Sequence, residues 1–413
     1  MQRFDNRTKQ ARQAIYLACC LLFVSFAFLY LFAFQSDMLT MVQHILSKGR
    51  TSYQVFLFSA MITVLLSVLP FVKARFVTLP TRAIALCWFP SFLLLGWLTD
   101  VALSEVDSSS LSVGPLPFVL ATVLYLVATF LLPQIQEVKE PNTPLANLMW
   151  PNLAVMVVGM AFAMGVANTN RTVHFELRLE RMIMNGQLDK LLDVCSHEKV
   201  PSRTVMSVRA YALSCQNKLG DQLFFYPNNV GGETLLPPPS DSLRPANMPA
   251  ILRKHLGGYP IHDMHATRYL QYLASSGSAT SNVRDYLLCA YLLDKNLPTF
   301  VDSLIVYYGP KDSAQVDEGV KTAASNVNVS ARKTKKAYEP VRFTSLPRHY
   351  AEALLLYMRQ TENPVAVLDD DKTLENYLSF LKLYKENKDP ILRESACRNY
   401  YNETYWTFYF FTE

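Results

Sequence analysis

The chain has 413 residues, 50% of them hydrophobic and 18% charged, with a formal net charge of +5; that length has room for two or three domains. Only ten of the 39 Lys and Arg and seven of the 34 Asp and Glu precede residue 171, which leaves a nearly balanced remainder. Nucleic acid requires a clustered basic face, so it is excluded as an expected partner.

Five apolar segments come first: Gln13–Phe34, Tyr53–Val72, Ala83–Leu98, Val113–Leu132 and Leu145–Val166. Roughly 20 apolar residues cross about 30 Å of hydrocarbon, and four segments meet that. The third is short, and Pro90 interrupts its helical bonding. Neighbouring helices can satisfy the freed carbonyl, so it is kept as a span. The first segment is too long for a signal-peptide core and ends without a small-residue cleavage site, so it too is expected to span. None of the five, as drawn, holds an ionisable Asp, Glu, Lys, Arg or His. That argues against ion-coupled transport. Gly159-xxx-Ala163 and Ala161-xxx-Gly165 allow close helix approach, and packing inside the bundle is favoured over dimerisation.

Orientation follows from the basic residues of the short loops. With the N-terminus inside, inner loops carry Arg3, Arg7, Lys9, Arg12, Lys73, Arg75, Arg82 and Lys139, and outer loops only Lys48 and Arg50. Five crossings then place the C-terminal half outside, in the periplasm of a bacterium. Were the Pro90 segment not a span, that half would be cytoplasmic.

From residue 168 the pattern changes to amphipathic helices of a water-soluble kind. Phe175, Leu177, Leu179, Met182 and Ile183 recur at helical spacing up to Asn185-Gly186. Leu188–Cys195 makes a second stripe, and Val205, Val208, Ala212 and Cys215 a third after Pro201-Ser202. Short helices paired around Gly or Asn turns suggest tetratricopeptide-like hairpins, on periodicity alone. Residues 227–249 hold Pro237, Pro238, Pro239 and Pro245 and read as an extended surface segment. Helices follow at Asp263–Ala274, Val283–Leu293, Leu297–Tyr308, from Pro347 to about Gln360, and Asp371–Asn387. Residues 309–345 read as a flexible polar insert. The fold expected is all-α: a transmembrane bundle of about five spans over 1–167, then a soluble helical-hairpin domain over 168–413.

Several blocks carry a family resemblance. They are QHILSKGRTSY (43–53), FPSFLLLGWLTDV (89–101), LGDQLFFYPNNVGGETLLP (219–237), DYLLCAYLLDKNLPTFV (285–301), LPRHYAEALLLY (346–357) and the terminal ETYWTFYFF. In that order they resemble a bacterial family of multi-pass membrane proteins of unknown function, over most of the chain. The basic stretch 311–344 departs from it. The resemblance implies the architecture, with a periplasmic helical-repeat region on a membrane anchor, and no catalytic residue.

Candidate chemistry is sparse. His255, His262, Asp263 and His265 form the densest ligand-type cluster, and His262 and His265 are the nearest candidates for a zinc site. No HExxH pattern or flanking Cys pair accompanies them, so solvated loop histidines are the expectation, with no metal and no cofactor. Asp369-Asp370-Asp371 suits helix capping better than a cation site, since no EF-hand pattern follows. Cys195, Cys215, Cys289 and Cys397 are disulfide candidates in an oxidising compartment, or buried thiols. His349 and Glu352 stand three apart, as an acid–base pair would; a helix surface with polar neighbours is favoured. Arg332, Lys333, Lys335 and Lys336 read as a solvated loop rather than a lipid-binding run. The aromatic crowd from Tyr400 to Phe411 is too large to leave in water and is expected to cap the last helices rather than lie at the bilayer interface.

The function expected is a non-catalytic, membrane-anchored helical scaffold at a bacterial inner membrane, with the lipid bilayer and a protein as partners. The alternatives are an envelope enzyme acting on lipid-linked or cell-surface substrates, and an accessory subunit of a transport complex. The enzyme would draw on the 35–52 loop (Asp37, Gln43, His44, Lys48, Arg50) and the His255–His265 segment.

Overall fold

The computed structural model describes residues 2–47, 50–51, 54–76, 79–100, 116–135, 144–167, 170–196, 201–238, 247–258, 265–310, 340–362 and 364–412. They divide into two compact units, one running to Arg178 and the other from Leu179 onward.

The first unit is a helical bundle whose apolar residues lie on both its inner and outer surfaces. Helix α1 (Gln2–Leu29) ends in a π-helical turn, Tyr30–Phe34. Ile15, Cys19, Phe23, Ala27 and Leu31 recur every four residues and face inward, while Leu17, Leu21, Leu29 and Phe34 face out. After α2 (Ser36–Ser47) and α3 (Val55–Phe76), 3-10 turns over Thr81–Trp88 run straight into α4 (Phe89–Thr99). Pro90 therefore sits in the first turn of α4, at its junction with the 3-10 turns, where the helix runs on through it. Helices α5 (Leu116–Ile135) and α6 (Leu145–Val166) complete the bundle.

Trp88 sits at its centre, with the Phe23 ring at 5.0 Å and the Tyr16 ring at 5.9 Å. Asn152 of α6 pins the 3-10 turns by accepting from Ala85 N–H (2.8 Å) and donating to the Thr81 carbonyl (2.9 Å). An amide so satisfied is tolerable away from water.

Four helical stretches are long and apolar enough to cross a bilayer: Gln10–Phe34, Val55–Lys73, Thr81–Thr99 and Leu145–Val166. Of the five expected spans, Val113–Leu132 is the one that does not reach that length among the described residues, where its apolar helix is the shorter Leu116–Leu131. The segment read as weakest, around Pro90, is among the four.

The small-residue motifs separate cleanly. A β-carbon on Gly159 would run into the Phe92 ring, and Ala163 is buried, whereas one on Gly165 would meet nothing within 4 Å. Gly159→Leu is thus expected to destabilise the bundle by about 1–3 kcal/mol or more, with Gly165→Leu near neutral. Thermal unfolding in detergent compares them, and equal effects would contradict this packing.

Residues 36–47, read as part of a loop, are instead α2. Its Met38 and Met41 bury against Val173 and Leu177 of α7 (Arg171–Met184).

In the second unit, α8 (Leu188–Ser196) pairs with α9 (Arg203–Cys215), which Ser202 caps by accepting from Val205 N–H. The short α10 (Leu219–Gln222) leads into Leu223–Leu236. Of the segment 227–249 expected at the surface, residues 239–246 lie outside the described residues, and the part before them is largely buried. A 3-10 turn at Gly232–Leu235 buries Thr234, Leu235 and Leu236, and Gly232 lies so close to Thr267 and Ala290 that no side chain fits. Helices α11 (Met248–Leu256), α12 (Ala266–Ser275), α13 (Asn282–Leu293) and α14 (Leu297–Tyr308) follow.

Helix α13 is buried from Tyr286 to Leu293 and is flanked by α10, α12, α14 and the Gly232–Leu235 turn. A helix apolar on every side belongs in an interior. Most of the insert, 311–339, lies outside the described residues; its end carries β1 (Val341–Phe343). That strand pairs in parallel with β2 (Ala366–Leu368) on either side of α15 (Arg348–Thr361), Val341 opposite Ala366. Helices α16 (Asp371–Glu386), α17 (Pro390–Tyr401) and α18 (Tyr405–Phe411) close the chain. Asp370 caps α16 through Thr373 N–H (3.1 Å).

Candidate functional site

The most strongly connected polar group lies inside the second unit. On α15, His349 is 0% and Glu352 2% exposed, with His349 Nδ1 3.0 Å from Glu352 Oε2. This overturns the helix-surface reading of the pair. Phe224 N–H donates to His349 Nε2 at 3.2 Å, so that nitrogen is an acceptor and the ring proton sits on Nδ1, aimed at the carboxylate. Glu352 Oε2 also accepts from Tyr405 N–H (2.7 Å), and Oε1 accepts from Arg348 Nε (3.0 Å). The Glu352 carbonyl accepts from Trp406 Nε1 at 2.9 Å. Two side chains thus hold the loop after α10 and the first turn of α18.

Neighbouring bonds extend the same stitching. Arg348 N–H donates to Asp221 Oδ1 (2.8 Å), and Asp285 Oδ1 receives the hydroxyls of Tyr308 (2.7 Å) and Tyr350 (3.0 Å). Burial pushes the Tyr350 phenol well above its ordinary value, so it stays a neutral donor.

The predicted zinc-type cluster is only partly placed. His262 and Asp263 lie outside the described residues. His265 is half-exposed just before α12, its Nε2 3.3 Å from Glu233 Oε2. It borders an open cleft of about 530 Å³ with Arg268, Gln271, Tyr291 and Asp294. Both Asp294 oxygens are occupied, by Gly232 N–H (2.6 Å) and the Thr267 hydroxyl (2.7 Å). Among the described residues no three His, Cys, Asp or Glu side chains gather as metal ligands.

His255 has different partners. Asn282 Nδ2 donates to its Nδ1 (3.4 Å), which leaves Nε2 to donate to Ser214 Oγ (2.8 Å). Burial holds its pKa below the ordinary 6.5. The unfolded chain then binds the proton first as pH falls. The contribution of this residue is therefore full above about pH 6.5 and is lost below it. His255→Gln is expected to flatten the decline in thermal stability between about pH 7 and 5; an unchanged decline would contradict this.

Residues 3–259 and 257–412 match a family described as a family of unknown function (DUF6057). The chain belongs to this family. No curated protein and no solved structure matches it.

In this member of the family, sequence reasoning missed two features. One is the burial of His349 and Glu352, signalled by apolar residues on every side of α15, from Tyr350 to Leu356. The other is Arg209, fully buried on α9 with Nη2 donating to the Pro227 carbonyl (3.0 Å) and Asn228 Oδ1 (2.5 Å), and its guanidinium over the Tyr226 ring. Burial lowers the Arg209 pKa to about 10, so it remains a cation. Nothing in its local sequence marks it, because the loop it holds arrives from residues 226–228. No disulfide joins the seven cysteines, all of which are among the described residues; Cys195, Cys289 and Cys397 are buried and Cys215 is exposed.

Proposed function

We propose that this protein is a membrane-anchored, non-catalytic scaffold of the bacterial inner membrane, whose second unit presents stacked helical hairpins of tetratricopeptide kind to a protein partner. The observation that carries the reading is the occupancy of His349 and Glu352. This acid–base pair is sealed, with both ring nitrogens and both carboxylate oxygens engaged in holding α15, α18 and the loop after α10. Successive helices that neighbour one another, α8 with α9, α12 with α13, α13 with α14 and α16 with α17, support the hairpin arrangement, and such stacks offer extended surfaces for gripping polypeptide.

Outward-facing apolar side chains support the anchor. Trp97 near the end of one span and Trp150 near the start of another, about 70% exposed, suit the two interfacial belts. In this reading α5 joins the four longer spans. Its 20 residues measure about 30 Å at 1.5 Å each, and Leu116, Leu120, Leu124 and Phe130 face outward. Lys73 reaches the Tyr125 ring at 3.8 Å, tying α5 to the basic end of α3. Five crossings with the basic loops inside put the N-terminus in the cytoplasm and the second unit in the periplasm.

The open cleft at His265 is the one observation that favours an envelope enzyme instead. Crosslinking in native membranes followed by purification separates the two readings. The scaffold reading expects one protein at fixed stoichiometry, with crosslinks in the second unit and unchanged in His265→Ala. Co-purified lipid-linked substrate, with turnover lost in His265→Ala, would overturn it.

A further inference from the structure

The turn between α16 and α17 displays two aliphatic side chains to solvent. Ile391 is 78% and Leu392 61% exposed, the former equalled among the described large hydrophobic residues of the second unit only by Tyr400. They stand on a preformed support. Asp389 accepts from the N–H groups of Ile391 (2.8 Å) and Leu392 (3.4 Å). Arg393 donates to the carbonyls of Asn387 (2.8 Å) and Lys388 (3.1 Å) while its guanidinium lies over the Tyr384 ring at 4.7 Å. Asn387 Nδ2 donates to the Leu383 carbonyl. The apolar pair is therefore presented by an ordered turn, with little freedom left to lose on binding.

Charge surrounds it. Leu378, Lys382 and Lys385 share one stripe of α16 leading to the turn, at spacings of four and three, and Lys388 stands within it. The acids are already engaged: Asp389 on its own helix, and Glu386 with Lys382 at 4.0 Å. Lys385 and Lys388 have no ion pair among the described residues. Aliphatic tips rimmed by lysine match an anionic headgroup layer, where the alkyl groups enter the acyl boundary and the ammonium groups meet phosphate.

We propose that this turn is a second membrane contact of the chain, with Ile391 and Leu392 inserted into an anionic lipid surface and Lys385 and Lys388 on its phosphates. The proposal rests on the anchored reading above, since the first unit supplies the bilayer.

The test uses the full chain in lipid nanodiscs, with Ile391→Cys in a Cys215→Ser background carrying a fluorophore. Doxyl-labelled lipid is expected to quench the label in discs containing phosphatidylglycerol. Quenching should fall when phosphatidylcholine replaces that lipid or when salt reaches about 1 M, where charges are screened within about 3 Å. Quenching by iodide and not by lipid would overturn the proposal in favour of a solvated turn. Protection from both would overturn it in favour of a protein partner or a second copy. Quenching of Trp97 and Trp150 by the same lipids reports the anchor separately, so loss of anchoring and loss of the second contact are distinguishable.

Discussion

Glu352→Ala is expected to destabilise the second unit by about 3–5 kcal/mol, the range for removing one partner of a buried, hydrogen-bonded charged group. The truncation leaves three donors facing a void: His349 Nδ1–H, Tyr405 N–H and Arg348 Nε. Arg348 is half-exposed and can turn to water; the other two cannot. Because Tyr405 begins α18, the loss appears first as release of that helix. Hydrogen exchange should show Tyr405–Phe411 opening before α13, and urea titration should give the lowered midpoint. Glu352→Gln keeps the shape and one acceptor and is expected to cost less, about 1.5–3 kcal/mol. Wild-type stability in Glu352→Ala would show that the buried pair does not hold the C-terminus.

Trp406→Ala is expected to cost about 3–5 kcal/mol. Its indole is 1% exposed, packed on Tyr377 at 5.0 Å and Phe380 at 5.7 Å, with Nε1 bonded to the Glu352 carbonyl. Since Trp406 and Glu352 secure the same helix, their effects are coupled. The double variant should lose less than the sum of the singles, because α18 detaches once in either case. Strict additivity in urea titrations would mean that the two residues act on separate structures.

Much of this architecture is legible in the sequence where the deciding contacts are local. Leu145–Val166 and Leu297–Tyr308 emerge as helices with the bounds their patterns gave, since apolar periodicity and caps such as Asn296 lie within the segment. The turn at Asp294-Lys295-Asn296 is equally local, with Lys295 at φ 54. The aromatic tail is legible from area alone: Tyr405, Trp406 and Phe408 are buried as a cap.

Distant partners hid the rest. Prolines argue against continuous helix over 227–249 but say nothing about burial, and the turn at Gly232–Leu235 is packed by α9, α12 and α13 from elsewhere in the chain. Helix α2 was missed because its apolar side, Met38 and Met41, is short and finds its counterpart only at Val173 and Leu177. His349 and Glu352 have the spacing of an exposed polar pair. Only the return of Phe224 and Tyr405 to that helix converts them into a buried junction. The same holds for Arg209, whose acceptors lie 18 and 19 positions away.

An apolar bundle held in the bilayer, with the second unit on the periplasmic side, is tested directly at Cys215, the exposed member of the seven thiols. Intact spheroplasts are treated with a membrane-impermeant maleimide before or after lysis. Cys215 is expected to label before lysis, and Cys215→Ser to remove that signal. Labelling of Cys215 only after lysis would place the second unit with the N-terminus in the cytoplasm and contradict this placement.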